Sequence, residues 1–133
     1  MEDLISEHFV VDGMNVIGSR PDGWWRDRDG AVRRLLAKLQ RLAAATGDEV
    51  TLVLDGRPVP IVGEGLHGGV LVVYARRAGR DAGDDRLVEF VGDVLEPGKV
   101  RVITSDRALA TRVRELGATV AGAGGFLERL DSC

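Results

Sequence analysis

The chain has 133 residues, 44% of them hydrophobic and 29% charged, a balance that suits one compact domain, 1–133, with a real core and no room for a second. Its net charge of −3 argues against a generally basic nucleic-acid binder, and no window approaches the roughly 18 apolar residues of a membrane span. The start, MEDLISEHF, lacks the basic and apolar stretches of a signal peptide, and the single cysteine, Cys133, excludes an internal disulfide and argues against a cysteine-based zinc site; a cytoplasmic protein with no membrane partner is expected.

The first predicted element is a strand, HFVVD (8–12), ending in Asp12, after which a turn is expected to bring Asn15 back beside it. A helix follows in DGAVRRLLAKLQRLAAATG (29–47), where Val32, Leu35, Leu36, Leu39, Leu42 and Ala43 recur at three- and four-residue steps between a candidate N-cap, Asp29, and a stop at Gly47. VTLVLD (50–55) and GVLVVYA (69–75) read as strands apolar on both faces. A second helix is expected from Asp84 or Asp85 to the stop at Pro97-Gly98, then a strand in VRVITS (100–105). SDRALATRVRELG predicts a helix capped by Ser105 or Asp106 and ended by Gly117; ATVAG (118–122) is a weaker fifth strand, and GGFLERL a last short helix. Such alternation predicts an α/β fold with a mainly parallel sheet of about five strands and helices on both faces, a fold in which ligands collect outside the carboxyl ends of the strands.

Aspartates stand at those ends: Asp12 after the first strand, Asp55 after the second, Asp84 and Asp85 beyond the third, Asp106 after the fourth. Each alone is explained by helix capping or by a turn; four places together are harder to dismiss. Strand ends distant in sequence converge on one rim, where carboxylates raise one another's pKa unless a cation intervenes. Hard oxygens without histidine or thiolate favour Mg²⁺ or Mn²⁺ over zinc. Such a site suits phosphoryl transfer, in which the ion activates water and neutralises charge on phosphorus. Asn15 would help to position water or phosphate, with Thr104 and Ser105 offering hydroxyls or a helix N-terminus to an anion.

The stretches VVDGMNVIG, VLDG, AGDDRLVEFV and VITSDRALATRVRELGATVAGAGGFL, in that order over nearly the whole chain, resemble the YacP-like branch of the NYN domains within the PIN-like nuclease superfamily. The resemblance implies a three-layer α/β/α sandwich around a central parallel sheet and a metal-dependent endoribonuclease acting on single-stranded RNA, in some members on translating ribosomes. It places the family's first acid on Asp12, its asparagine on Asn15, its acidic pair on Asp84 and Asp85 and its last acid on Asp106, with Asp55 ranked lower. Met14 stands where the family commonly has tyrosine, Gly83 where alanine is usual, and the chain is short for this branch, leaving room for a substrate-choosing loop or helix to be missing.

Arginine makes up 16 of the 18 basic residues, a bias that codon usage alone could produce, so clustering has to decide its meaning. Arg76, Arg77 and Arg80 lead to the acidic pair and are candidates for RNA phosphates; Arg20, Arg26 and Arg28 surround Trp24 and Trp25, whose faces could stack on unpaired bases or else anchor a loop or a homodimer contact. Arg86 could pair with the carboxylates or touch substrate, and His8 and His67 read as surface residues. A phospho-receiver needs a lysine at the end of its fifth strand, where neither Lys38 nor Lys99 stands, and a dehalogenase-like phosphatase needs an acid where Met14 stands. The remaining rival is a catalytically silent RNA- or ribosome-binding domain, disfavoured because a pure phosphate binder gains nothing from carboxylates at its binding edge.

Overall fold

The computed structural model describes residues 7–132, so Cys133 lies outside the described residues. The five expected strands are present and parallel: β1 (His8–Asp12), β2 (Glu49–Leu54), β4 (Val70–Tyr74), β5 (Val100–Ile103) and β6 (Thr119–Ala121). A sixth, β3 (Gly65–His67), was not expected; it pairs antiparallel with β4 at one edge of a sheet ordered β3-β4-β2-β1-β5-β6. Its cause is local. Gly68 and Gly69, at φ 54° and 87°, form the two-residue turn that closes a tight hairpin, a turn that requires positive φ at both positions.

The helices are α1 (Gly13–Gly18), α2 (Arg28–Thr46), α3 (Ala82–Gly92), α4 (Arg107–Glu115) and α5 (Ala123–Asp131). Where a turn was expected after β1, the chain enters α1 directly, so Asn15 rides on a helix. The N-cap of α2 is Asp27, whose carboxylate accepts the Gly30 N–H at 3.0 Å, and not Asp29; Gly47, at φ 75°, ends the helix as expected. α3 begins at Ala82, behind Asp81 in the left-handed region at φ 63°, and stops at Gly92, well before Pro97. Asp106 caps α4, accepting the Leu109 N–H at 3.1 Å.

Strand alternation sorts the core into two layers. Phe9, Val11, Leu52, Leu54, Val72, Tyr74 and Ile103 face α1, α2 and α5, while Val10, Val53, Val73 and Val102 face α3 and α4. The continuous stripe of α2 is buried as its periodicity demands, with Ala43 packed at its margin. His8 is not a surface residue. Its ring is half-buried, hydrogen-bonded with the Thr51 hydroxyl at 2.8 Å and edge-on to Phe90. No helix among the described residues is long and apolar enough to cross a membrane.

The sheet order has one reversal: from β1 the chain builds outward through β2 and β4, then returns to lay β5 against β1's other edge. The carboxyl ends of β1 and β5 therefore flank the crevice where this architecture gathers ligands. Immediately after β1 the chain must turn without a loop, and Gly13 makes this possible. A Cβ there would stand 2.7 Å from Leu54 Cδ2, 2.9 Å from Leu52 Cδ1 and 2.9 Å from the Val53 carbonyl oxygen. Gly13→Ala is accordingly expected to destabilise the domain by about 1–3 kcal/mol through overpacking, read as a lower urea midpoint at unchanged slope.

Candidate active site

The centre of the rim is assembled from backbone and side-chain hydrogen bonds across the β1–β5 crevice. Thr104, 2% exposed just beyond β5, donates its hydroxyl to Asp12 Oδ2 at 2.9 Å, and the Thr104 Oγ1 itself accepts the Asp106 N–H at 3.1 Å. With its one proton committed to Asp12, Thr104 has none to offer an anion. Ser105 is held twice: its N–H donates to Asn15 Oδ1 at 2.8 Å and its hydroxyl oxygen accepts the Ala123 N–H at 3.0 Å. Asn15 thus fastens α1 to the segment that carries Asp106, rather than turning back to Asp12.

The other acids approach from β2 and α3. Asp55 follows β2, and its carbonyl accepts Nη2 of Arg28, whose Nη1 also reaches the Arg57 carbonyl at 3.1 Å. α3 comes close enough to Asp55 that a Cβ on Gly83 would lie 2.9 Å from Asp55 Cβ, so glycine at 83 sets this approach. Asp84 sits on the first turn of α3 and has neither hydrogen bond nor ion pair among the described residues.

The electrostatics report a shared field. Burial pushes the Asp12 carboxyl up to about 6; the Thr104 hydrogen bond opposes this, and the charges of Asp84, Asp55 and Asp106 add to it. Asp84 is also raised, first by burial, then by Asp106, Asp81 and Asp55, with the Arg112 charge opposing. Asp12, Asp55, Asp84 and Asp106 therefore crowd one rim. Asp85 does not join them. Its carboxylate takes Arg77 Nη2 on Oδ2 and Arg112 Nη1 on Oδ1 at 3.1 Å, and these hydrogen bonds hold its pKa below the usual carboxylate range.

The arginines divide likewise. Arg76 Nε and Arg86 Nη1 share Glu89 Oε1 at 2.7 and 2.8 Å, so Arg86 pairs with neither acid beside it. The Arg80 side chain makes no hydrogen bond or ion pair among the described residues. Arg20 is tied to Asp131 on α5 at 2.8 Å, alongside Lys38. Trp24 packs against the core whereas Trp25 is 59% exposed, with the Arg26 guanidinium 5.9 Å from its ring centre. Two residues of this region escape sequence reasoning, Asp81, which adds to the acidic field, and Arg112; Arg28, expected beside the tryptophans, instead pins the Asp55 loop. Asp81 was legible as a third acid in RDAGDD; Arg112 requires knowing that α3 and α4 lie side by side.

No curated protein matches the chain in sequence. Two crystal structures of Rae1 (YacP) from Bacillus subtilis resemble it in fold: that of a tryptophan-to-leucine mutant with a TM-score of 0.76 at 21% identity, and another with 0.73 at 20%. Each match covers 95% of this chain, and 76% and 74% of the respective Rae1 chains. The model of the YacP-like NYN domain matches residues 9–133, which takes in all six strands apart from His8 at the start of β1, and the whole acidic rim. The chain belongs to the YacP-like NYN domain family.

Proposed function

We propose that this nuclease-like, RNA-related domain is a divalent-metal-dependent endoribonuclease that hydrolyses the phosphodiester backbone of single-stranded RNA. The observation that carries the reading is the convergence of Asp12, Asp84 and Asp106, with Asp55 beside them, at the carboxyl ends of the strands flanking the crevice. Such a cluster costs stability through burial and mutual repulsion, and a structural role alone gives no return for that cost.

The donor set fits a hard cation: it consists of carboxylate oxygens, with the carboxylate of Asp84 unengaged among the described residues. Among the described residues no three of His, Cys, Asp and Glu stand close enough to hold an ion by themselves. Mg²⁺ or Mn²⁺, which is commonly held by one or two carboxylates and completed by water and substrate phosphate, suits this arrangement. One or two of Asp12, Asp84 and Asp106 would hold it directly and the rest through water, and when bound it would supply a Lewis acid and a more acidic water. Thr104 orients Asp12, and Asn15 fixes the Ser105-Asp106 turn. Arg76, Arg77 and Arg80, with Trp25 farther along, would hold the strand.

The rival reading, a silent RNA-binding domain, is favoured by the lack of a ready-made three-acid ligand set among the described residues. Titration with Mn²⁺ separates the two. The nuclease reading expects saturable binding that raises the thermal midpoint and is lost in Asp106→Asn; a folded wild type that binds no Mn²⁺, alone or with RNA, favours the silent domain. Asparagine keeps the acceptor oxygens that Thr104 and Leu109 use, so Asp12→Asn and Asp106→Asn should fold while cleavage falls by on the order of a hundredfold or more. Full cleavage in both, or in excess EDTA, would rule the mechanism out.

A pH dependence also follows. Asp12 holds its proton more tightly folded than unfolded, so its contribution to stability is fully present below about pH 4 and is lost as pH rises through about 6. The cost above that window amounts to up to about 3 kcal/mol. In metal-free buffer Asp12→Asn should therefore gain thermal stability relative to wild type at pH 7.5 and show little gain at pH 4; equal differences at the two pH values would contradict this account of the rim.

A further inference from the structure

We propose that Arg77 and Arg112 form a binding site for a backbone phosphate of single-stranded RNA, and that Asp85 fills this site until RNA displaces it. The inference rests on the nuclease reading for the identity of the strand, but the site itself is defined by geometry. Two guanidiniums from separate elements, one on the loop after β4 and one on α4, meet the two different oxygens of a single carboxylate. A phosphodiester offers the same pair of anionic oxygens to the same two forks.

The pairing is readily exchangeable. Side-chain exposures of 53% for Arg77, 42% for Arg112 and 46% for Asp85 place all three in contact with water, where an ion pair contributes little to stability. Releasing Asp85 to solvent costs correspondingly little, and the arginines exchange one anion for another.

The position is suited to a substrate strand. Arg112 acts electrostatically on Asp84 as well as binding Asp85, so a phosphate held here lies at the border of the acidic rim. One turn farther along the same face of α3 the pattern repeats, with Arg76 and Arg86 sharing Glu89. Arg76, Arg77, Ala82, Asp85, Arg86 and Glu89 line an open groove of about 200 Å³. Along this face four arginines meet two carboxylates, whereas the neighbouring rim is wholly acidic. A polyanion would be drawn to the first surface and held against the second only where a cation bridges.

The test is fluorescence anisotropy of a labelled single-stranded RNA in EDTA, across a salt series, with thermal midpoints confirming that each variant is folded. Arg112→Ala is expected to weaken binding and to reduce the slope of log affinity against log salt by about 0.7, the value for one lost single-strand phosphate contact. Asp85→Asn is expected to tighten binding roughly two- to fivefold, the scale of an exposed ion pair. Weaker or unchanged binding in Asp85→Asn, or an unaltered salt slope in Arg112→Ala, would overturn the site. The same variants titrated with tripolyphosphate separate the two readings. Tripolyphosphate binding with this variant pattern but no RNA binding upholds the anion site and removes RNA as its ligand, whereas tripolyphosphate and RNA binding that are both indifferent to Arg112 and Asp85 removes the site and leaves the acidic rim to be judged by cleavage.

Discussion

The hydroxyl of Thr104 donates to Asp12 and accepts from the backbone of Asp106, and this two-sided bond joins the ends of the two strands that flank the crevice. Because it is buried, neither half can be replaced by water without opening the core. Its consequences spread outward. Asp106 is set at the N-cap of α4, which orients that helix; Asn15 reaches across to Ser105, which fixes α1; and Ser105 in turn receives the first N–H of α5. One short segment, Thr104 to Asp106, thus registers three helices against the sheet and sets two acids of the rim.

Gly13 supplies the matching constraint on the other strand. Only a residue without a side chain lets α1 begin against Leu52, Leu54 and the Val53 carbonyl, and so Asp12 emerges on a rigid strand end and not on a loop. Gly83 has the same function for α3, which can approach Asp55 because no Cβ intervenes. The acidic rim is therefore compact because glycines allow backbones to close on it, and the raised carboxyl pKa values of Asp12 and Asp84 follow from the burial and then the charge crowding that this closure imposes.

Much of this was legible in the sequence, for identifiable reasons. The strands β1, β2, β4 and β5 are unmistakable because burial on both faces leaves long apolar runs, and α2 because its stripe is unbroken over five turns. The aspartates near the strand ends suggested that Asp12, Asp84, Asp85 and Asp106 gather on one rim; Asp85 turns to the arginines instead, and Asp55, ranked lower, acts on Asp12 and Asp84. The hairpin strand β3 was carried by HGGV, a local turn signal overshadowed by its glycine-rich surroundings. The start of α1 was hidden because its six residues are too short for a helical period to be read, and its glycines point to a turn. Arg112, Arg28 and the outward path of Asp85 depend on which helices lie side by side, and sequence spacing carries no such information.

The Asp84-Asp85 pair shows how much that neighbourhood decides. Consecutive residues on a helix project about 100° apart, so two adjacent acids on α3 cannot both face one small site from its rim. Asp84 faces the carboxylates of β1, β2 and the β5–α4 turn, where its charge is disfavoured; Asp85 faces Arg77 and Arg112, where its charge is favoured. Their shifts are opposite in sign although their sequence context is the same. A motif of two aspartates reads as one chemical unit, and the helix divides it into two: one carboxylate held in an electrostatic field that a cation would relieve, the other lying between cations that an incoming phosphate could claim. The boundary between acidic and basic surfaces falls between these two side chains, on the first turn of a single helix, and a strand bound along the arginines would meet the acids at that line.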